Sequence, residues 1–222
     1  QPMPEGINRV LIDHLAKVKI CPNTYAAHNL LREGITKDVY VVGDPSFDSL
    51  CRFIPIKRTR NWRKYILLTL HRNFNVDNKE SLLNIFDAIK ESEERVIFPI
   101  HPRTAKNIKE FKIKIPKNIK IVEPQTYRQT LSLISNAKKV ITDSGGVQRE
   151  AFWMSVPVII LRTETEWIDI VGKGAGVLVG TVKENILDAI RRFEGKMNAP
   201  PEPGVNRKIK ENSQTVFKIK ID

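Results

Sequence analysis

The sequence predicts an α/β fold with a doubly wound parallel sheet. From Tyr65 to Val179, short apolar segments alternate with segments whose apolar residues recur at helical spacing. This alternation is typical of successive strand-helix-strand units, whose strands run parallel. Segments such as YILLTL at 65–70 are apolar along their whole length. Continuous apolar runs are typical of parallel strands that helices cover on both faces. Together these observations favour a Rossmann-like sheet.

We predict the following elements in chain order. The predicted strands are Val18–Cys21, Asp38–Val42, Tyr65–Leu70, Arg95–Ile100, Ile119–Val122, a short run that ends at Val140 and Ile141, Val156–Leu161 and Gly176–Val179. The predicted helices are Glu5–Ala16, Thr24–Glu33, Ser46–Ile54, one within Val76–Glu91, Thr104–Glu110, Tyr127–Ser135, Val147–Met154, Lys183–Glu194 and Asn206–Lys218. The part before residue 46 begins with a helix and has too few strands for an independent domain.

The stretch ITDSGGVQREA joins a predicted strand to a predicted helix and is the strongest candidate for a ligand site. In open α/β sheets, ligands bind beyond the carboxyl ends of strands, often at the N-terminus of the next helix. Gly145 and Gly146 let the backbone approach an anion closely, and Ser144 adds a hydroxyl. Glu150 is placed to accept hydrogen bonds from sugar hydroxyls. The alternative is that Asp143 or Ser144 only caps the helix, and the spacing leaves both interpretations open.

The composition excludes several classes of protein. Hydrophobic residues make up 41% and charged residues 28% of the 222 residues, as in soluble globular proteins. No run reaches the roughly 18 apolar residues of a membrane span, and no signal peptide is visible. Cys21 and Cys51 are the two cysteines, without a CxxC motif or a Cys/His cluster. This pattern argues against a metal site and a disulfide scaffold, and it fits a reducing cytoplasm.

The net charge of +12 raises the question of nucleic-acid binding. The basic residues are, however, spread over the chain and interleaved with acidic ones. They are densest in Lys57–Lys64 and Lys106–Lys120, and the second stretch alternates lysine with isoleucine and asparagine. That pattern is typical of solvated faces of short elements. Because a small anionic ligand is served by the same excess, we do not expect a nucleic-acid partner.

Eight stretches along the chain carry a recognisable combination of motifs. They are PEGINRVLIDHL at 4–15, NLLREGI at 29–35, VVGDPSFDSL at 41–50, LLTLHRNFN at 67–75, FPIHPRT at 98–104, VEPQTYRQTLSLISNA at 122–137, ITDSGGVQREA at 141–151 and LRTETEWIDIVGKGAGVLVG at 161–180. Each stretch alone is a weak signal, whereas the collinear set is specific. In this order the stretches resemble the non-hydrolysing UDP-N-acetylglucosamine 2-epimerases.

The resemblance implies the glycosyltransferase-B fold, in which two Rossmann domains face each other. The resemblance covers this whole chain, but the matching stretches leave out most of the family's N-terminal domain. Residues 1–45 resemble the tail of that domain, 46–190 the complete UDP-binding domain, and 191–222 the C-terminal segment that crosses back to the first domain. The family protein is expected to be a cytoplasmic homodimer that uses a UDP-sugar, needs no cofactor or metal, and supplies polysaccharide biosynthesis.

The family reaction, as the resemblance implies it, eliminates UDP across C1–C2 of the sugar to give a 2-acetamidoglucal. UDP then adds back, and C2 is reprotonated on the other face. By the resemblance, His71 lies beside the diphosphate and Glu5 is one catalytic carboxylate. From the residues alone, His71 is equally a polar residue at a strand end, and Glu5 a favourable charge at a helix N-terminus. His101 matches another histidine near the cleft.

The resemblance also implies a set of substrate contacts. The residues that match UDP-binding positions are Arg72, Ser144, Gly145, Gly146, Glu150, Arg162 and Glu166. The chain departs from the family pattern at three places: Gly6 replaces the second acidic residue after the proline, Arg149 replaces a glutamate, and Trp167 replaces an arginine that often contacts UDP. An indole cannot bind phosphate as a bidentate donor, although it can stack on a ligand or cover the cleft.

We therefore predict a truncated UDP-N-acetylglucosamine 2-epimerase, inactive alone because the family's other catalytic carboxylates lie in the missing half. Two alternatives remain open from the sequence. One is a related UDP-sugar hydrolase or glycosyltransferase, and the other is a UDP-binding half that works with a second polypeptide.

Overall fold

The computed structural model describes residues 4–53 and 64–196, which fall into two compact units. The first unit contains α1 (Pro4–Leu15), β1 (Lys19–Cys21), α2 (Thr24–Arg32), β2 (Val39–Val41) and α3 (Pro45–Cys51). The strands β1 and β2 pair in parallel, with Ile20 opposite Tyr40. A small apolar core formed by Cys21, Ala27, Leu30 and Val39 lies between the strands and α2.

Apolar side chains of α1 are largely exposed. Ile7, Val10, Leu11, Ile12 and Leu15 have between 45% and 84% of their surface accessible. Amphipathic helices normally bury such a face against another element. The first unit therefore carries an apolar surface that its own core does not use.

The second unit contains a six-stranded, fully parallel sheet with the order β5-β4-β3-β6-β7-β8. Its strands are β3 (Ile66–Thr69), β4 (Val96–Pro99), β5 (Ile119–Val122), β6 (Lys139–Thr142), β7 (Val158–Ile160) and β8 (Gly176–Leu178). Its helices are α4 (Asn73–Val76), α5 (Lys79–Ser92), α6 (Pro102–Glu110), α7 (Tyr127–Asn136), α8 (Gly145–Trp153), α9 (Ile168–Gly172) and α10 (Lys183–Arg192). The α/β class and the parallel sheet predicted from the sequence are confirmed.

Both faces of the sheet are covered, which is what makes it doubly wound. Ile66 and Leu68 of β3 belong to a core cluster that also contains Phe86 of α5 and Ile190 of α10. Leu67, between them, belongs to a second cluster on the other face, with Ile134 of α7 and Ala151 of α8. Because successive side chains of a strand point to opposite faces, one apolar strand supplies both cores.

Two short helices were not predicted from the sequence. They are the four-residue helix α4, which precedes the helix predicted within Val76–Glu91, and the five-residue helix α9. The predicted helix is α5, which begins after Asn78 because the Asn78 side chain accepts a hydrogen bond from the Ser81 backbone N–H. The predicted helix at 206–218 and the basic connection at 55–63 lie outside the described residues. None of the described helices combines the length and the apolar composition that a membrane crossing requires.

The order of the strands places a crevice between β3 and β6. The chain continues from β3 to β4 and β5 on one side, and from β6 to β7 and β8 on the other. In such sheets the crevice beyond the carboxyl ends of the two central strands is the usual ligand site. Thr69 and Thr142 are partners at these ends, so the residues that follow them face the crevice together.

The central strand allows a test of the packing. Leu67→Ala removes a fully buried side chain from β3 and should lower the free energy of unfolding by about 2–5 kcal/mol. The matched control is Leu83→Ala in α5, whose side chain is 38% exposed and should cost less than about 1 kcal/mol. Urea unfolding followed by circular dichroism measures both values. Equal losses for the two variants would contradict the described core.

Candidate functional site

A buried carboxylate joins the ends of the two central strands. Asp143, the first residue after β6, is fully buried. Its oxygens accept hydrogen bonds from the backbone N–H groups of His71 at 3.2 Å and Arg72 at 3.0 Å. The side-chain amide of Asn75 donates a third, at 3.2 Å. Asp143 therefore fixes the loop after β3 against the end of β6, and it does not cap the following helix.

Asn75 extends this network to a third strand. Its side chain is 2% exposed, and the same amide nitrogen also donates to the backbone carbonyl of Leu161, 3.0 Å away, just after β7. The ends of β3, β6 and β7 are thus held by two polar side chains. Sequence reasoning assigned neither role, although both residues lie within matched stretches and Asp143 directly follows an apolar strand.

His71 lies at the mouth of the crevice, with 37% of its side chain exposed. Its Nδ1 is 3.2 Å from Asp143 Oδ1. This contact orients the ring with Nδ1–H towards the carboxylate and leaves Nε2 as the nitrogen available to a ligand.

His101 follows β4 and lies on the same edge of the sheet. Its ring centroid is 6.4 Å from that of His71. Its Nδ1 accepts a hydrogen bond from the backbone N–H of Arg103 at 3.2 Å, which caps α6. The structure therefore brings the two predicted histidines close together and gives His101 a structural role as well.

The N-terminus of α8 lies at the end of β6. Ser144 is its cap, because Ser144 Oγ accepts a hydrogen bond from the Val147 backbone N–H at 3.4 Å. Of the two capping residues considered, Ser144 is the one observed. A Cβ on Gly145 would lie 2.7 Å from Glu166 Oε1 and 3.2 Å from Trp167 Nε1, so a larger residue would displace these side chains. The segment after β7 thus packs directly on the first turn of α8.

Glu150 lies one turn further into α8 and is partly buried. Burial raises its pKa to about 7, although a hydrogen bond from the Tyr127 hydroxyl and the charge of Arg149 act in the opposite direction. Burial and the neighbouring Glu150 carboxylate raise the pKa of Tyr127 to about 12. Glu150 is thus a carboxylate held in an apolar setting by one neutral donor. Tyr127 was not identified from the sequence, since it is only the first residue of a helix.

Arg162 and Glu166 form an ion pair beside α8, with 2.7 Å between Arg162 Nη1 and Glu166 Oε2. Burial raises the pKa of Glu166, but its own backbone N–H, Arg162 and Arg72 outweigh burial, and the pKa is lowered overall. Glu166 is therefore ionised at neutral pH. The Nε of Arg72 is buried and has no hydrogen-bond partner among the described atoms.

Two residues that depart from the family pattern contact each other. The guanidinium carbon of Arg149 lies 4.2 Å from the centroid of the Trp167 ring and 5.6 Å from that of Trp153. These distances are typical of cation–π contacts. Arg149 and Trp167 are 18 positions apart in the sequence, and no local pattern indicates that their side chains meet.

The second unit thus gathers most of the predicted site residues around one crevice. These are His71, Arg72, His101, Ser144, Gly145, Gly146, Arg162, Glu166 and Trp167. Glu150 lies further along α8, beside Tyr127. Glu5 is the second residue of α1, and its side chain lies outside what the structure describes. Among residues 4–53 and 64–196, no three acidic, histidine or cysteine side chains cluster as metal ligands do.

Comparison with known proteins identifies relatives that match nearly the whole length of this chain. A family model described as UDP-N-acetylglucosamine 2-epimerase matches residues 1–211. A UDP-N-acetylglucosamine 2-epimerase homolog of Methanococcus maripaludis is 40% identical over 99% of this chain. A UDP-N-acetylglucosamine 2-epimerase of Methanocaldococcus jannaschii is 43% identical over 94% of it.

Solved structures agree with these relatives. The crystal structure of the Methanocaldococcus jannaschii UDP-GlcNAc 2-epimerase in complex with UDP-GlcNAc and UDP superposes with a TM-score of 0.83 and 41% identity, over 96% of this chain and 65% of that one. The Neisseria meningitidis UDP-GlcNAc 2-epimerase bound to UDP-GlcNAc gives a TM-score of 0.80 at 28% identity, over 96% of this chain and 65% of that one. The chain spans 64% and 63% of the length of the two curated relatives.

The central carboxylate allows a test of the site's framework. Asp143→Asn replaces one acceptor oxygen with an amide that faces backbone N–H groups, and leaves a buried donor without a partner. We expect the free energy of unfolding to fall by about 2 kcal/mol or more. Chemical unfolding at neutral pH measures the loss.

The control for this variant is Asp188→Asn, which removes an exposed ion pair with Arg192 on α10. Exposed pairs contribute little, so this change should stay within about 0.5 kcal/mol of the wild type. If the two asparagine variants unfolded alike, Asp143 would not hold the strand ends together.

Proposed function

The chain belongs to the UDP-N-acetylglucosamine 2-epimerase family, and we propose that it is the UDP-binding part of such an enzyme. The observation that carries this proposal is the crevice at the switch point of the sheet. There the first turn of α8 follows β6, His71 and Arg72 follow β3, and Arg162 follows β7, all at one edge of the sheet. A helix N-terminus with arginine side chains at the same edge is suited to a diphosphate.

The contacts support a division of roles within the nucleotide. The backbone N–H groups of Gly145 and Gly146 and the Ser144 hydroxyl bind the diphosphate, with Arg72 and Arg162 supplying positive charge. Glu150 accepts hydrogen bonds from the ribose hydroxyls. Glu166 and His101 border the same crevice. The relative from Methanocaldococcus jannaschii, solved with UDP-GlcNAc and UDP, supports a UDP-sugar as the ligand class.

The proposed reaction is the conversion of UDP-GlcNAc to UDP-ManNAc. A base removes the proton at C2 while the C1–O bond breaks, which gives UDP and 2-acetamidoglucal. UDP then adds back to C1 as C2 is protonated on the other face. The contribution of this chain is to hold the diphosphate, and the ring of His71, oriented by Asp143, donates to it as its negative charge develops. Glu5 is proposed as one of the acid/base carboxylates.

We propose that the first unit is the tail of an N-terminal Rossmann domain. The exposed apolar face of α1 supports this, because such a face normally packs inside a domain. The contacts place α3 in the first compact unit, whereas we assign the UDP-binding domain to 46–190 and the returning segment to 191–222. These boundaries, a homodimeric parent protein and a cytoplasmic location remain predictions.

Calorimetric titration with UDP tests the proposal. The chain should bind UDP, and the double variant Ser144→Ala/Glu150→Ala should lose at least about tenfold in affinity, because it lacks a phosphate donor and a ribose acceptor. The control is Glu184→Ala, at an exposed position in the first turn of α10, which should bind like the wild type. Failure of the wild-type chain to bind UDP at millimolar concentration would overturn the proposed function.

The raised pKa of Glu150 predicts that UDP affinity depends on pH. Ribose hydroxyls donate to the ionised carboxylate, so binding favours the form present above about pH 7. As the pH falls below 7, affinity should drop by up to about tenfold per unit, with a proton released on binding.

The matched control is Glu150→Gln, which retains an acceptor but does not titrate. The difference between the two profiles removes the titration of UDP itself and of other groups. We expect that difference to change around pH 7, and parallel profiles between pH 5 and pH 8 would contradict this role of Glu150.

A further inference from the structure

We propose that Trp167 is an additional diphosphate-binding residue, whose indole N–H donates to a phosphate oxygen, and that Arg149 positions this indole. The inference rests on the proposed function and deepens it. It assigns a chemical role to the two positions where the chain departs most clearly from its family.

The indole nitrogen is a donor without an acceptor. Trp167 Nε1 is buried and has no hydrogen-bond partner among the described atoms. It lies 3.2 Å from the point that a Cβ on Gly145 would occupy, which places it at the first residue of α8. Buried donors are almost always paired. A phosphate oxygen bound at this helix N-terminus provides the missing acceptor.

Contacts with the interior of α8 fix the backbone around Trp167. The Trp167 backbone N–H donates to Thr165 Oγ1 at 3.2 Å, and that hydroxyl donates to Gln148 Oε1 at 2.8 Å. Gln148 is fully buried. The position of the indole is therefore set by hydrogen bonds to the same helix that presents the free N–H groups.

Arg149 holds the indole from its other side. Its guanidinium lies 4.2 Å from the Trp167 ring centroid and also contacts Trp153 at 5.6 Å. The stacking restricts the tilt of the Trp167 ring, and the positive charge lies next to the N–H that it strengthens as a donor. Position 167 has no cationic side chain, but Arg149 of α8 supplies a positive charge next to the Trp167 ring.

The Glu166 carboxylate places an anionic oxygen beside Gly145, at the first turn of α8. Its Oε1 lies 2.7 Å from the same Cβ position on Gly145, and its carboxylate pairs with Arg162. An ionised carboxylate repels a phosphate, so Glu166 has to turn away when the diphosphate enters. Its side chain is 36% exposed and has room to do so. Arg162 and the indole N–H are then left to the phosphate.

The test uses the full chain with UDP and with uridine, which lacks phosphate. In a ¹H–¹⁵N spectrum, the indole signal of Trp167, identified by its loss in Trp167→Phe, should move downfield on addition of UDP and stay in place with uridine. Trp167→Phe should weaken UDP binding by about tenfold and leave uridine binding unchanged. An indole shift of the same size with both ligands, or equal UDP affinity in Trp167→Phe and the wild type, would overturn the proposal.

The positioning role of Arg149 has its own variants. Arg149→Met retains the length of the side chain without the charge, and should both weaken UDP binding and abolish the UDP-induced shift of the indole signal. Arg149→Lys retains a cation over the ring and should restore part of the UDP affinity and part of the UDP-induced indole shift. Wild-type shift and affinity in Arg149→Met would contradict the positioning role.

The outcomes separate this inference from the proposed function. If the wild-type chain does not bind UDP, both fail. If UDP binds and Ser144→Ala/Glu150→Ala weakens it while Trp167→Phe does not, the proposed function stands and only the role of Trp167 fails.

Discussion

The carboxylate of Asp143 is the interaction on which the rest of the site depends. It is fully buried, yet it accepts hydrogen bonds from two backbone N–H groups and one amide and contacts the His71 ring. A buried charge is costly unless it is paired in this way. By satisfying those donors, Asp143 holds the loop after β3 at a fixed distance from the start of α8. The position of His71 relative to the helix N-terminus follows from that one residue.

Around this framework, the chain concentrates positive charge and free donors at one edge of the sheet. Arg72 and Arg162 lie near the first turn of α8, and both interact with the Glu166 carboxylate. In the proposed function, the same two arginines bind the diphosphate. Preorganised donors of this kind stabilise charge that develops during a reaction without needing to reorient.

The fold was largely predictable because apolar strands and amphipathic helices are local patterns. The residues after each strand were also predictable as site candidates, since parallel strands present their carboxyl ends at one edge. Long-range pairings were not predictable. The hydrogen bonds from Asn75 to Asp143 and Leu161 span 68 and 86 residues, and no local signal encodes them. The helix α9 is too short for its periodicity to show.

Departures from a family pattern are informative only when their contacts are known. In the sequence, Arg149 and Trp167 were two unrelated substitutions that weakened the match to a phosphate site. In the structure the Arg149 guanidinium lies 4.2 Å from the Trp167 ring centroid, and the Trp167 indole N–H lies at the first residue of α8. The two positions are therefore neighbours in the folded chain.

Hydrogen exchange of the His71 and Arg72 backbone amides tests the central claim most directly. Both amides lie in a loop at the edge of the sheet, where exchange is normally fast. If Asp143 holds them as described, they should exchange as slowly as the amides of β3 and become exposed only when the sheet itself opens. Exchange at the rate of an unprotected loop would show that Asp143 does not join the two strands, and the account of the site would fail with it.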